Sequence, residues 1–192
     1  MCEAPSAATR AYLAWRRASA DLALPAEYVA AHIRWGDKAA KETHERINAS
    51  DYIVAARQLA DEAGAPAARR SIFLATTSPR ALVDARAALW ADETIFASNA
   101  SHVPDELTGA QTNYWLSKAA KREVNFLEAF ADVWTILGSR GAVLTLSSNM
   151  ARWVWFHNQP EIRSGRQQIK LLDSFGAQAV HLGKYPPQPC NY

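Results

Sequence analysis

Two short stretches of this chain hold residue types suited to gripping an anion. The run His32-Ile33-Arg34-Trp35-Gly36-Asp37-Lys38 brings a guanidinium, a carboxylate and an ammonium together. An arginine offers a planar fork of donors that matches phosphate oxygens. Asp37 can orient that fork, and Gly36 lets the backbone turn sharply. Trp35 either stacks on a ligand or plugs the loop. The same residues also describe a strand end tied down by an Arg–Asp pair, with Lys38 in water. The second stretch is Thr145-Leu146-Ser147-Ser148, running into Asn149 and a helical pattern. Serines there can cap the helix, and the N–H groups they would cap also bind phosphate. An arginine and a helix start together favour a diphosphate more than either does alone.

Other candidates are single residues. Asp132 interrupts an apolar helical pattern between Ala131 and Val133. It is either a solvated face residue or a carboxylate able to accept two hydrogen bonds from a guanine edge. Glu42 follows the cationic cluster and can serve as a general base above a sheet, in competition with His44, Glu45 and Asp51. His102, His157 and His181 lack metal-ligand spacing. Trp134, Trp153 and Trp155 fall at helical spacing and are expected in the core. Neither a GxGxxG run nor a P-loop is present, which argues against the common nucleotide folds that depend on them.

These residues need a scaffold, and the hydrophobic pattern supplies one. Residues 28–34 are apolar on both faces, as in a buried parallel strand. Further strands are expected at 71–76, 94–98 and 142–148, with one more at 179–182. Helices are expected over 9–20, over 51–63 with Ser50 as N-cap, over 80–90 after Ser78 and Pro79, over 118–138 and over 149–157. In the long helix Val124, Leu127, Phe130, Trp134 and Leu137 form a stripe expected to face the core. Residues 99–117 are polar and loop-like. Alternating strands and helices imply an α/β fold with a parallel sheet, whose ligands bind beyond the carboxyl ends of the strands. The clusters at 32–38 and 145–149 both fall at such ends.

Composition narrows the class. Of 192 residues, 49% are hydrophobic and 21% charged, which excludes a disordered chain. A net charge of +2 is too balanced for nucleic-acid binding by bulk electrostatics, so an anion site must be local. The two cysteines, Cys2 and Cys190, make neither a disulfide framework nor a zinc cluster. No signal peptide or apolar stretch long enough for a membrane span is visible. The opening residues look like the middle of a domain, so a longer protein is expected. The chain is expected to form one Rossmann-like domain over 1–192, with a C-terminal extension over 159–192.

Taken in order, His32-Ile33-Arg34 with Asp37 and Lys38, then Phe73-Leu74-Ala75-Thr76 with Pro79, then Thr145-Leu146-Ser147-Ser148-Asn149 with Arg152, resemble the donor-binding domain of the α-1,6-fucosyltransferase family. The match covers residues 28–158. The resemblance implies the nucleotide-sugar-binding, Rossmann-like half of a GT-B glycosyltransferase. Such an enzyme transfers fucose from GDP-fucose to a glycan acceptor with inversion and without a metal or other cofactor. It places Arg34 at the β-phosphate and His32 and Asp37 beside the nucleotide. Asp132 falls at the guanine-reading aspartate, and Ser147, Ser148 and Asn149 at the diphosphate. Glu42 and Lys38 fall at the proton-removing glutamate and its lysine. A Golgi or secretory-lumen location is implied too. The sequons at Asn48 and Asn99 would be usable there. The partners implied are GDP-fucose and the glycan, with no nucleic acid, and the missing half would come from an N-terminal segment or a homodimer.

Two sites depart from the family pattern. Trp35 replaces a second arginine, and Thr77 and Ser78 replace two acidic residues. One extra residue before Tyr52 also loosens the acceptor side. These departures define the alternative expectation, a degenerate module that binds a nucleotide or glycan without turnover.

Overall fold

The structure is a computed structural model that describes residues 23–35, 47–64, 70–97 and 119–173, together with residues 7, 10–12 and 14. In the helix that begins at Ala119, side chains are described from Leu127 onward. The elements run β1 (Val29–His32), α1 (Ala49–Glu62), β2 (Arg70–Ala75), α2 (Pro79–Ala87) and β3 (Glu93–Ala97). They continue with α3 (Ala119–Leu137), β4 (Gly141–Leu144), α4 (Asn149–His157), α5 (Gln159–Arg163) and β5 (Gln168–Leu171). Of the helix expected over 9–20, residues 10–12 and 14 are described and are helical, while the loop at 99–117 and the strand at 179–182 lie outside the described residues.

All five strands are parallel and form one sheet in the order β3-β2-β1-β4-β5. This is a doubly wound, Rossmann-like α/β arrangement. The chain steps outward from β1 to β2 and β3, then returns to the other side of β1 for β4 and β5. The direction of winding therefore reverses between β1 and β4. In folds of this kind ligands bind at such a reversal, beyond the carboxyl ends of the strands.

Strand alternation divides the core into two layers. Val29, Ala31, Ile33, Ile72, Leu74 and Val143 face α1 and α2. Ala30, Phe73, Ala75, Ala142, Leu144 and Leu146 face α3 and α4. Helix α1 sits close to the sheet because much of its buried face is alanine. At Gly141 an added Cβ would meet Leu59 and the Gln168 carbonyl at 3.4 Å, so β4 starts with glycine where α1 presses on it. Tyr28 donates its hydroxyl to the Thr135 carbonyl at 2.7 Å and ties α3 to the foot of β1.

Several expectations are corrected. Helix α1 starts at Ala49 with Asn48, not Ser50, as N-cap, and Asp51 accepts the Asn48 N–H at 3.0 Å. The strand expected over 142–148 ends at Leu144, and the residues after it form a turn. Strand β5 and helix α5 were not expected. In β5 the half-buried Ile169 and Leu171 alternate with the polar Gln168 and Lys170, which gives a short edge strand with a weak hydrophobic signal. It falls within the span expected to be an extension, yet it completes the sheet.

The stripe expected on α3 is also rotated. Leu127 is 44% exposed, while Ala131, Asp132, Val133, Thr135 and Ile136 are buried. Phe130, Trp134 and Leu137 are half-buried. The first two meet Trp153 of α4, at ring-centroid distances of 6.0 and 6.4 Å. The flat sheet receives the smaller residues, and the aromatic rings fill the wedge between the two helices.

One ionic cluster buttresses the opposite edge. Arg57 on α1 gives Glu93 on β3 two hydrogen bonds, of 2.6 and 2.7 Å, and the Glu93 side chain is fully buried. The Trp90 N–H adds a third at 2.9 Å, and Arg70 bridges Asp61. Arg57 also lies over the Trp90 ring, 3.7 Å from its centroid. The Arg57 hydrogen bonds hold the Glu93 carboxyl below its usual range despite burial. Glu93→Gln leaves buried guanidinium charge uncompensated, so urea unfolding should show a loss of about 3–5 kcal/mol at neutral pH. With the folded-state pKa lowered, this contribution is present above pH 4.5 and disappears as pH falls through the folded value.

Candidate functional site at the strand crossover

The register of β1 on β4 runs from Val29 beside Gly141 to Ala31 beside Val143. Residues 32–35 and 144–148 therefore leave the sheet side by side, at the edge where the winding reverses. The two expected clusters are brought to neighbouring strand ends as far as Arg34 and Trp35. Asp37, Lys38 and Glu42 lie outside the described residues.

His32 is the last residue of β1 and is 4% exposed. By alternation it shares the side of Ala30, toward α3 and α4. Burial, aided by the charge of Arg34, pushes its imidazole down to about 3, so it is neutral near pH 7. Its Nδ1 is buried without a hydrogen-bond partner among the described residues. Arg34 is half-buried just past the strand. Its electrostatic effect on His32 places cationic charge at this strand end.

Trp35, the departure next to that arginine, is half-buried and packs against the α1-side core. Its indole N–H donates to the Ile47 carbonyl at 3.1 Å. This bond ties a residue just after β1 to a residue just before the start of α1.

The other wall is the β4–α4 turn. Ser148 N–H bonds to the Thr145 carbonyl at 3.1 Å, and Arg152 N–H bonds to the Ser148 carbonyl at 3.0 Å. Asp173, 6% exposed and just beyond β5, accepts from Leu146 N–H at 2.9 Å and from Ser147 N–H at 2.8 Å. These two bonds end the strand: the amides that would extend the ladder face a carboxylate instead. Arg152 braces the opposite side of the turn, donating to the Leu146 carbonyl at 2.5 Å, the Ser147 carbonyl at 3.4 Å and Asn149 Oδ1 at 3.3 Å.

The N-terminus of α4 differs from that of its counterpart α2. Ser78 is the N-cap of α2 and accepts from Ala81 N–H at 3.0 Å. Ser148 has similar backbone angles (φ −86°, ψ 133°) but its side chain makes no capping bond. The hydroxyl of Ser147 is buried without a partner among the described residues. Thus one crossover helix is closed by its serine, and the helix at the winding reversal is left uncapped. Its first-turn N–H groups carry the positive end of the helix dipole. Thr77 and Ser78, the other departures, belong to the capped turn, where Ser78 serves the helix.

Asp132 is buried, at 6% exposure, which excludes the solvated-face alternative. It lies on α3, on the same side of the sheet as His32. Among the described residues no group of three or more His, Cys, Asp or Glu side chains could hold a metal ion. No described helix is long and apolar enough to cross a membrane.

Two buried groups that line this region were missed from the sequence. Tyr52 on α1 is pushed up to about 12, mainly by burial, with Asp173 and Asp51 adding to the rise and the nearby Thr145 side chain opposing it. Asp173 was missed because β5 was missed. Once Gln168–Leu171 is a strand, a carboxylate just past its carboxyl end carries the same signal that marked Asp37.

No protein-family model matches this chain, and no curated protein matches it. What the fold defines is a class, the doubly wound, Rossmann-like parallel α/β domain.

The His32 ring gives a pH signature. Its folded-state pKa is depressed, so the unfolded chain takes up a proton first as pH falls below 6.5. Stability is whole above that pH and declines toward pH 3. At pH 5 the loss is about 2 kcal/mol, at 1.36 kcal/mol per unit. His32→Gln should flatten the drop in urea midpoint between pH 7 and pH 5.

Proposed function

We propose that this domain binds the diphosphate of a guanine nucleotide sugar and serves as the donor-binding half of a GT-B fucosyltransferase acting on a glycan. The observation that supports this best is the uncapped start of α4 beside Arg34 on neighbouring strand ends. Oriented amides and a guanidinium from two elements suit a pyrophosphate. In this reading Arg34 takes the β-phosphate, and Ser147, Ser148 and Asn149 lie along the diphosphate. His32 and Asp37 support the nucleotide, and Asp132 reads the guanine edge. Glu42 removes the proton of the acceptor hydroxyl, directly or through Lys38, as its oxygen attacks the anomeric carbon. The bond to GDP breaks, and Arg34 with the α4 amides stabilises the charge arriving on the leaving phosphate. Donors already in place can carry this load without a metal. The Golgi or secretory location and the completing second half belong to the same proposal.

Calorimetry on the purified chain should show GDP binding well and UDP poorly. Arg34→Ala should cost about 2–3 kcal/mol, the size of a hydrogen bond to a charged group. Equal affinity for the two nucleotides would remove the guanine assignment to Asp132.

One observation favours the binding-only alternative. Trp35 is committed to Ile47, so the position of the family's second arginine supplies no cation. Transfer of labelled fucose to an N-glycan or chitooligosaccharide separates the two readings. In a form of the protein with activity, Glu42→Gln should abolish transfer and leave GDP affinity unchanged. Surviving transfer would assign the base elsewhere.

A further inference from the structure

We infer that Asp173 is a positioning residue for the anion site. It withholds the amides of Leu146 and Ser147 from the ligand and sets the first turn of α4 to receive it. The inference rests on the diphosphate reading above, but its geometry stands independently.

A turn leaving a parallel strand and entering a helix presents a run of N–H groups, and any of them can meet an anion. Here the run is divided. Both oxygens of Asp173 are engaged, one on each of the first two amides, at 2.9 and 2.8 Å. The third, Ser148 N–H, closes the turn on Thr145. Among the described residues, the N–H groups of the first turn of α4 remain, and Ser148 does not cap them. The protein thus supplies its own anion to the inner part of the turn and leaves the outer part to a ligand.

The arrangement is rigid for identifiable reasons. Asp173 follows β5 directly, and Leu172 N–H continues the ladder onto the Leu144 carbonyl at 3.0 Å. The carboxylate is therefore placed by the sheet. Arg152 holds the carbonyls of the same two residues, Leu146 and Ser147, so a cation balances the carboxylate across one turn. The Tyr52 hydroxyl lies beside Thr145 and near enough to Asp173 to feel its charge. Strand β5, helix α1 and helix α4 all converge on residues 145–148. Such convergence fixes donors before the ligand arrives, which lowers the ordering cost of binding.

An asparagine cannot reproduce this contact. Its single carbonyl oxygen satisfies one amide, and its NH2 group would face the other N–H. Asp173→Asn should therefore loosen the turn. The probe is inorganic pyrophosphate, followed by calorimetry and by backbone amide NMR of the whole chain. In the wild type, pyrophosphate should shift the amides of Asn149, Met150 and Ala151 and leave hydrogen exchange at Leu146 and Ser147 slow and unchanged. Asp173→Asn should weaken pyrophosphate at least tenfold and accelerate exchange at Leu146 and Ser147. Asp173→Glu, which keeps both oxygens and the charge, should recover part of the affinity.

An affinity equal to or above wild type in a folded Asp173→Asn protein would overturn the inference, because the carboxylate would then be only structural or a competitor. Pyrophosphate acting directly on the Leu146 and Ser147 amides of the wild type would overturn it even if the variant fails to fold. Absence of pyrophosphate binding to the wild type would do the same. Pyrophosphate bound as described, with GDP no better than UDP, would remove the guanine-nucleotide reading and leave the role of Asp173 standing.

Discussion

The carboxylate of Asp173 against the amides of Leu146 and Ser147 is the contact on which this candidate site depends. Two oxygens meet two N–H groups at 2.8–2.9 Å, the Leu146 bond buried and the Ser147 bond half-buried. Charge-assisted bonds of this kind are worth more than neutral ones. They stop β4 as a strand after Leu144 and turn the chain into α4. They also join residues far apart in sequence, so the site exists only once the last strand has docked. A short edge strand with little hydrophobic content of its own thereby becomes essential to the geometry of the site.

The sheet organises its charges by height. At the feet of β2 and β3, Arg57 and Glu93 pair closely, while Arg70 bridges Asp61 and lies 3.7 Å from Glu93, and this pairing is a matter of stability. At the carboxyl ends of β1 and β4, polar groups remain only partly satisfied. His32 Nδ1 and the Ser147 hydroxyl are buried without partners among the described residues, and the α4 start is uncapped. Folding tolerates such groups at a cost of about 1–3 kcal/mol each. These groups flank the point where the winding of the sheet reverses.

Much of the plan is visible in the residues. Short apolar runs, Tyr28–Ala31, Ile72–Ala75 and Ile95–Ala97, mark the first three strands, and the first two are covered on both faces as inner parallel strands are. Ser78 followed by Pro79 marks the start of α2 for a local reason, the geometry of a first turn. The clusters near Arg34 and Ser148 are legible because α/β sheets hold ligands at strand ends, so polar residues after an apolar run stand out. The sheet-facing stripe of α3 is not legible in the same way, because two apolar stripes share one helix. Periodicity identifies the helix but not which stripe meets the sheet and which meets α4.

Local sequence thus determined that this chain alternates strands and helices and that Arg34 and Ser148 leave strand ends, since those properties depend on neighbours a few residues apart. Tertiary structure decided that the two ends lie together, that Trp35 closes on Ile47 and that Asp132 is buried. It also decided that Ser148 leaves its helix open while Ser78 closes its own. Each of these outcomes turns on a partner brought near by the order of strands in the sheet, and no pattern within a single segment encodes that order.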